Sequence, residues 1–248
     1  MRGFNIYNYS NNILLKGDID EIPELDNIES LIIIGNFNNS LKNLPKTLKM
    51  LSIKSDIFNN SLGELPECLE DLEIYSKSFN GSLENLPKNL KKLKIGGGFN
   101  GSVNNLPEDL EILYLDGEFN NNVDRLPLKL KELYLGVKFN SEINKLPRGL
   151  KYLIINSGFK KEIKNLPEEL EYLSLDLNCY YKYRICNLPM SLEVIDLGEY
   201  MGNIYIVLPN NLKRLGYYDN FNIDNVKKYM NKDCLYDIYE TKEYLYEI

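Results

Sequence analysis

The sequence has no histidine among its 248 residues. That absence removes the commonest general base, the Ser–His and Cys–His nucleophile pairings and most zinc sites together. Cysteine is scarce as well: Cys68, Cys179, Cys186 and Cys234 follow no metal-ligand spacing, and only Cys179 and Cys186 are close in sequence. They read as free thiols in a reducing compartment. No apolar run approaches the roughly 18 residues of a membrane span. The opening MRGFNIYNYS has no apolar core of signal-peptide length. A soluble, cytoplasmic, non-secreted protein without a membrane partner is therefore expected. Basic clusters are missing too, and the net charge is −7. A protein that grips a phosphate backbone needs a clustered positive surface, so no nucleic-acid partner is expected.

What the chain does have is a repeat. All ten prolines (Pro23, Pro45, Pro66, Pro87, Pro107, Pro127, Pro147, Pro167, Pro189 and Pro209) recur every 20 to 22 residues at one place in a frame F-N-x-x-L-x-x-L-P-x-x-L-x-x-L-x-I, cleanest over Phe79 to Gly98. A fixed period near twenty with a fixed apolar pattern is the mark of a solenoid, in which each unit covers its neighbour's core. The inward columns are nearly pure: Phe37, Phe58, Phe79, Phe99, Phe119, Phe139 and Phe159, continued by Tyr181 and Met201, and a leucine before each proline from Leu44 to Leu208. After the proline, segments such as Leu93-Lys94-Ile95 alternate apolar, variable, apolar, which predicts a short half-buried strand. The proline fixes φ at the preceding corner and removes a donor.

The expected fold is a β-rich, leucine-rich-repeat-like right-handed coil with one parallel strand per repeat. Tight turns or 3₁₀ segments would fill the other side, and a small α/β cap would close the C-terminal end. Residues 1–22 read as an N-terminal cap or degenerate first unit, 23–222 as repeats and 223–248 as a C-terminal cap. Measured back from Pro23, Leu15 takes the phenylalanine position, Ile19 the leucine position and Ile22 the place before proline. Two extra residues between Pro23 and Leu31 predict a bulged first turn. The frame weakens over Leu177 to Asn187, which carries two extra residues and three tyrosines. Beyond Asn222 the repeat stops. Ile223 to Lys232 has a helical pattern with Asp224 placed as an N-cap, and the rest alternates like one or two short strands.

The strand segment resembles the leucine-rich repeat. The pairing of F-N with L-P-x-x-L-x-x-L resembles in particular the FNIP repeats of social amoebae and of giant viruses that infect amoebae, over about residues 15–222. Asn, Gly or Ser replaces Ile-Pro after F-N, and the asparagine gives way to Lys160, Lys182 and Gly202. Many viral members of that family carry an F-box ahead of the repeats. Only about twenty residues precede Pro23 here, so recruitment of a ubiquitin ligase is not among the expectations.

Gly96, Gly98 and Gly101 spell G-x-G-x-x-G after a strand, but Phe99 and Asn100 inside it are ordinary repeat residues and no amphipathic helix follows, so the match is fortuitous. Asparagines at one corner, Asn38, Asn59, Asn80, Asn100, Asn120 and Asn140, predict a ladder that satisfies buried backbone groups of neighbouring rungs. Charges after the proline alternate by rung, as in Lys49, Glu70, Lys91 and Glu111, and stacking should pair them. The outward strand positions are not dictated by the frame. In the middle repeats they are Ile112, Tyr114, Tyr134, Tyr152, Ile154 and Tyr172, with Asp116 and Glu132 nearby, and earlier rungs offer Asp71, Glu73, Lys92 and Lys94. An exposed aromatic and aliphatic patch with polar borders marks an interaction surface; cross-strand stacking alone would also retain tyrosine there. The function expected is a non-enzymatic scaffold that binds a protein partner through this face, with no cofactor and no metal. Two other readings stand beside it: a self-associating structural module, and an enzyme using carboxylates in the irregular stretch 179–205.

Overall fold

The computed structural model describes residues 3–175, 183, 185, 187–198, 206–218 and 235–239. It is a single sheet whose strands follow one another in sequence order: β1 (Phe4–Tyr9), β2 (Asn12–Asp18), β3 (Ser30–Asn36), β4 (Met50–Lys54), β5 (Asp71–Ser76), β6 (Lys92–Gly97), β7 (Ile112–Leu115), β8 (Glu132–Leu135), β9 (Tyr152–Ile155), β10 (Tyr172–Leu175), β11 (Val194–Asp196), β12 (Arg214–Tyr218) and β13 (Leu235–Tyr239). From β2 onward every pairing is parallel. Only the β1–β2 hairpin is antiparallel. Among the described residues no helix occurs; turns, bends and extended chain make up the other sides of the coil. No helix there is long and apolar enough to cross a membrane.

The corner chemistry repeats with the sequence. From Pro45 to Pro209 each proline carbonyl accepts the N–H of the leucine three residues on, as in Leu48 to Pro45 at 3.1 Å and Leu150 to Pro147 at 3.1 Å. The next two N–H groups then converge on one carbonyl of the previous rung: Lys49 and Met50 on Glu29 at 2.8 and 2.9 Å, Lys131 and Glu132 on Glu111 at 2.8 and 3.1 Å. That fork locks register before the strand begins, so Leu31, Leu51, Leu72, Leu93, Leu113, Leu133, Leu153 and Leu173 fall in one buried column.

Opposite the strands, the seven phenylalanines stack. Phe37, Phe58, Phe79, Phe99, Phe119, Phe139 and Phe159 are fully buried, with centroids 5.6 to 6.1 Å apart between successive rungs. The rung spacing of a parallel sheet, about 4.8 Å, sets that offset stack.

Residues 1–22 depart from the position-by-position reading. Leu15 lies opposite Ile33 in the strand, not at the phenylalanine place; Asp18 faces Asn36, and Ile19, whose N–H donates to the Asn36 carbonyl at 2.9 Å, is the residue beside Phe37. The first unit is therefore shifted by four residues. The two extra residues after Pro23 offset half of the shift, so Ile13 and Leu31 stand 18 residues apart where Leu31 and Leu51 stand 20, with Asn27 there at φ 57, a left-handed conformation that asparagine tolerates. The expected helix at Ile223–Lys232, with Asp224, and the column members Tyr181 and Met201 lie outside the described residues. β13 is described and runs parallel to β12.

Candidate interaction surface

Outward side chains of consecutive rungs form two columns over the strands. One runs Asp71, Lys92, Ile112, Glu132, Tyr152, Tyr172; the other runs Ser52, Glu73, Lys94, Tyr114, Tyr134, Ile154. All eight residues singled out in the sequence, Ile112, Tyr114, Asp116, Glu132, Tyr134, Tyr152, Ile154 and Tyr172, fall on this face. The Tyr114 and Tyr134 rings stack at 5.4 Å, and Tyr152 meets Tyr172 at 6.0 Å with a 31° tilt. The rings are less exposed than the sequence implied. Only Tyr152, at 43%, is exposed, while the other seven are half-buried. Rungs spaced at about 4.8 Å make each ring cover its neighbour.

Toward the N-terminal end the same columns turn ionic. Lys92 lies 3.4 Å from Asp71 and Lys94 3.6 Å from Glu73, while Ser52 Oγ donates to Glu73 at 3.2 Å. Lys94 also sits 4.8 Å above the Tyr114 ring, joining the ionic half to the aromatic half by a cation–π contact. Burial raises the Asp71 carboxyl, only partly opposed by Lys92, and its buried Oδ1 has no hydrogen-bond partner. Burial, then the charges of Glu73 and Asp116, push the Tyr75 phenol up to about 12. Tyr114 is raised by burial and then by Glu132. A shallow recess lies between Lys54, Asp56, Glu73, Tyr75 and Lys94.

The sequence did not single out Asn156 or Tyr75 as parts of this face. Asn156 is buried and donates to the Tyr134 hydroxyl at 2.6 Å. One signal was available: Asn156 stands two residues after Ile154, on the same side of the rung.

The glycine triplet proves to be packing. A Cβ at Gly96 would come 2.9 Å from the Tyr75 ring, and one at Gly98 2.1 Å from the Lys77 carbonyl. The absent side chains make room for the neighbouring rung, so contact between rungs sets Gly96 and Gly98.

The corner asparagines form a continuous chain of hydrogen bonds. Asn38 Oδ1 accepts the N–H of Asn59 at 2.8 Å, and the pattern repeats through Asn80, Asn100, Asn120 and Asn140 to the Lys160 N–H at 2.8 Å. These groups lie at the surface, not in the buried setting the sequence suggested, because the phenylalanine before each asparagine turns inward and leaves the next residue outside. The charge stripe pairs two rungs at a time, Glu29 with Lys49, Glu70 with Lys91, Glu111 with Lys131 and Lys151 with Glu171, at 2.6 to 3.2 Å. Among the described residues no group of three Cys, Asp or Glu side chains could hold a metal ion. Cys68 is a free thiol; Cys179, Cys186 and Cys234 lie outside the described residues. So does about half of the 179–205 stretch.

No family model matches the chain, and no curated protein matches it. A solved structure does: CroV588, described as a novel circular LRR protein, superposes with a TM-score of 0.73 at 29% identity over 85% of this chain. The fold is that of a leucine-rich-repeat protein. The chain spans 33% of the length of CroV588. YopM from Yersinia enterocolitica aligns over 87% of this chain and 50% of its own, at 21% identity and a TM-score of 0.47. In leucine-rich-repeat terms the tyrosine columns occupy the strand face, the side of the coil built from the one strand of each repeat.

Proposed function

We propose that this chain is a non-enzymatic scaffold of the FNIP-repeat kind that binds a protein partner in the cytoplasm through the strand face from Ile112 to Tyr172. Residues 23–222 form the repeat body in this reading, with 1–22 and 223–248 as caps. One observation carries it. Four tyrosines and two isoleucines, which no rule of the repeat demands, stand in register on four successive rungs, with Glu132 between Ile112 and Tyr152 and Asp116 beside them. Rigid aromatic side chains held by stacking lose little entropy on contact, which is the character of interface anchors. The asparagine chain and the paired charges serve the fold in this reading and leave the strand face as the variable surface.

The test is affinity capture from the native cell followed by binding of the purified partner. Tyr152→Ala should weaken binding by ~2 kcal/mol or more, about thirtyfold, with the melting temperature unchanged. Tyr134→Ala/Tyr152→Ala should abolish it. Undiminished capture by the double variant would move the site elsewhere.

A further inference from the structure

The aliphatic column at the end of each strand runs Leu15, Ile33, Ile53, Ile74, Ile95, Leu115, Leu135, Ile155 and Leu175, all buried. It has one further member. Ile6 of β1 lies opposite Leu15 on the same face, yet it is 51% exposed. β1 is the outermost strand of the sheet, and its sequence FNIYNY has no charge and no proline. Charged side chains, proline and bulges are the usual devices that stop one edge from pairing with another. β1 has none of them, and Tyr7 and Tyr9 are exposed on its opposite face.

Hydrogen-bond parity decides which part of β1 is open. Tyr9 pairs with Asn12 across the two-residue turn Ser10-Asn11, so Tyr9, Tyr7 and Asn5 exchange bonds with β2. Phe4, Ile6 and Asn8 direct their N–H and C=O groups outward. A two-fold axis that joins two copies of an antiparallel edge must stand perpendicular to the sheet, which keeps core face with core face. A register centred on Ile6 uses every outward group: Phe4 meets Asn8 of the second copy, Asn8 meets its Phe4, and Ile6 meets its Ile6. Centring on Tyr7 instead leaves Phe4 without a strand partner. The Ile6 register also lets the aliphatic column run uninterrupted from one copy into the other, and no like charges meet across it.

We propose that the outer edge of β1 is a self-pairing surface, through which two copies of this chain join antiparallel about a two-fold axis at Ile6 into one continuous sheet. The occupant is a second copy because hydrogen-bond parity, the aliphatic column and the absence of charge are all satisfied by the strand's own image. Such an isologous contact closes on itself and yields a dimer, with both tyrosine faces left free.

Sedimentation velocity on the full chain, from micromolar concentration upward, tests this. Wild type should sediment with twice the mass of one chain. Ile6→Lys and Ile6→Glu should each sediment as monomers with unchanged circular dichroism, since like charges then meet at the axis, and mixing them in equal amounts should restore the twofold mass. A wild-type monomer throughout the range would overturn the proposal, as would a dimer that persists in Ile6→Lys, or two folded charge variants whose mixture stays monomeric. Hydrogen exchange on wild type decides the matter should the variants fail to fold: the Ile6 and Asn8 amides must lose protection on dilution, and concentration-independent exchange there refutes the contact. A wild-type monomer that takes up a strand of another protein on this edge counts against self-pairing.

Discussion

The side-chain amide of Asn156 donates to the Tyr134 hydroxyl at 2.6 Å, so the ring stacked on Tyr114 is also held at its tip by a buried donor. Tyr134 is thus part of the fold as well as of the face. Tyr134→Phe keeps the stack and deletes the acceptor, and it should cost about 1 to 3 kcal/mol in a denaturant titration, the usual penalty for stranding a buried polar group. Tyr152→Ala, at an exposed ring, should stay within about 0.5 kcal/mol of wild type. Equal costs for the two would mean that the Asn156 bond contributes nothing.

The phenylalanine stack makes a stronger demand. Phe99 lies between Phe79 and Phe119 at 6.0 and 6.1 Å and is fully buried. Phe99→Ala removes a ring from the middle of the stack and should destabilise by about 3 to 5 kcal/mol. Because a solenoid communicates only between neighbouring units, unfolding of this variant should also lose cooperativity, visible as a broadened thermal transition. A melting curve that overlays wild type would show that the stack is not the core.

Asn100 sits in the corner chain with its own N–H bonded to Asn80 and its Oδ1 accepting from Asn120. Asn100→Ala deletes the second bond and keeps the first. At this exposed corner water can replace the lost acceptor, so the expected cost is about 0.5 to 1.5 kcal/mol. A cost above that of Phe99→Ala would require the corner chain to be the main source of register, which the backbone fork at the Glu29 and Glu111 carbonyls already supplies.

Much of this was legible because the repeat imposes translation. Once the prolines fix a period, a residue twenty places away must stack on its equivalent, and that alone predicts the phenylalanine column, the tyrosine columns and the paired charges. What the period could not convey were features that break or cross it. The hairpin of β1 and β2 has no equivalent in later units, so counting back from Pro23 placed Leu15 four residues out of register. Side-chain exposure was misjudged for Tyr114, Tyr134 and Tyr172 because ring-on-ring coverage depends on the rung spacing, which residue spacing in the chain does not state. Gly96 and Tyr75 lie in neighbouring rungs, and only their contact shows that the glycine makes room for the ring. The corner asparagines were readable as a chain of bonds, but not as a surface one.

Tyr75 offers a test of that contact through pH. Its phenol is pushed from 10.0 up to about 12, chiefly by burial and then by Glu73 and Asp116. An unfolded chain sheds this proton near pH 10 while the folded chain keeps it. The stability that neutral Tyr75 contributes is therefore complete below pH 10 and is lost as pH rises toward 12. Ultraviolet titration of wild type minus Tyr75→Phe should isolate one phenol with a midpoint near 12, and the alkaline fall in stability between pH 10 and 12 should be shallower in Tyr75→Phe. Gly96→Ala gives the structural half of the argument: its Cβ would approach the Tyr75 ring to 2.9 Å, so the ring must swing toward water and its midpoint must fall back toward 10. A difference curve already centred near 10 in wild type would mean that the packing of the Tyr75 ring, itself 37% exposed, against Gly96 does not hold the phenol neutral.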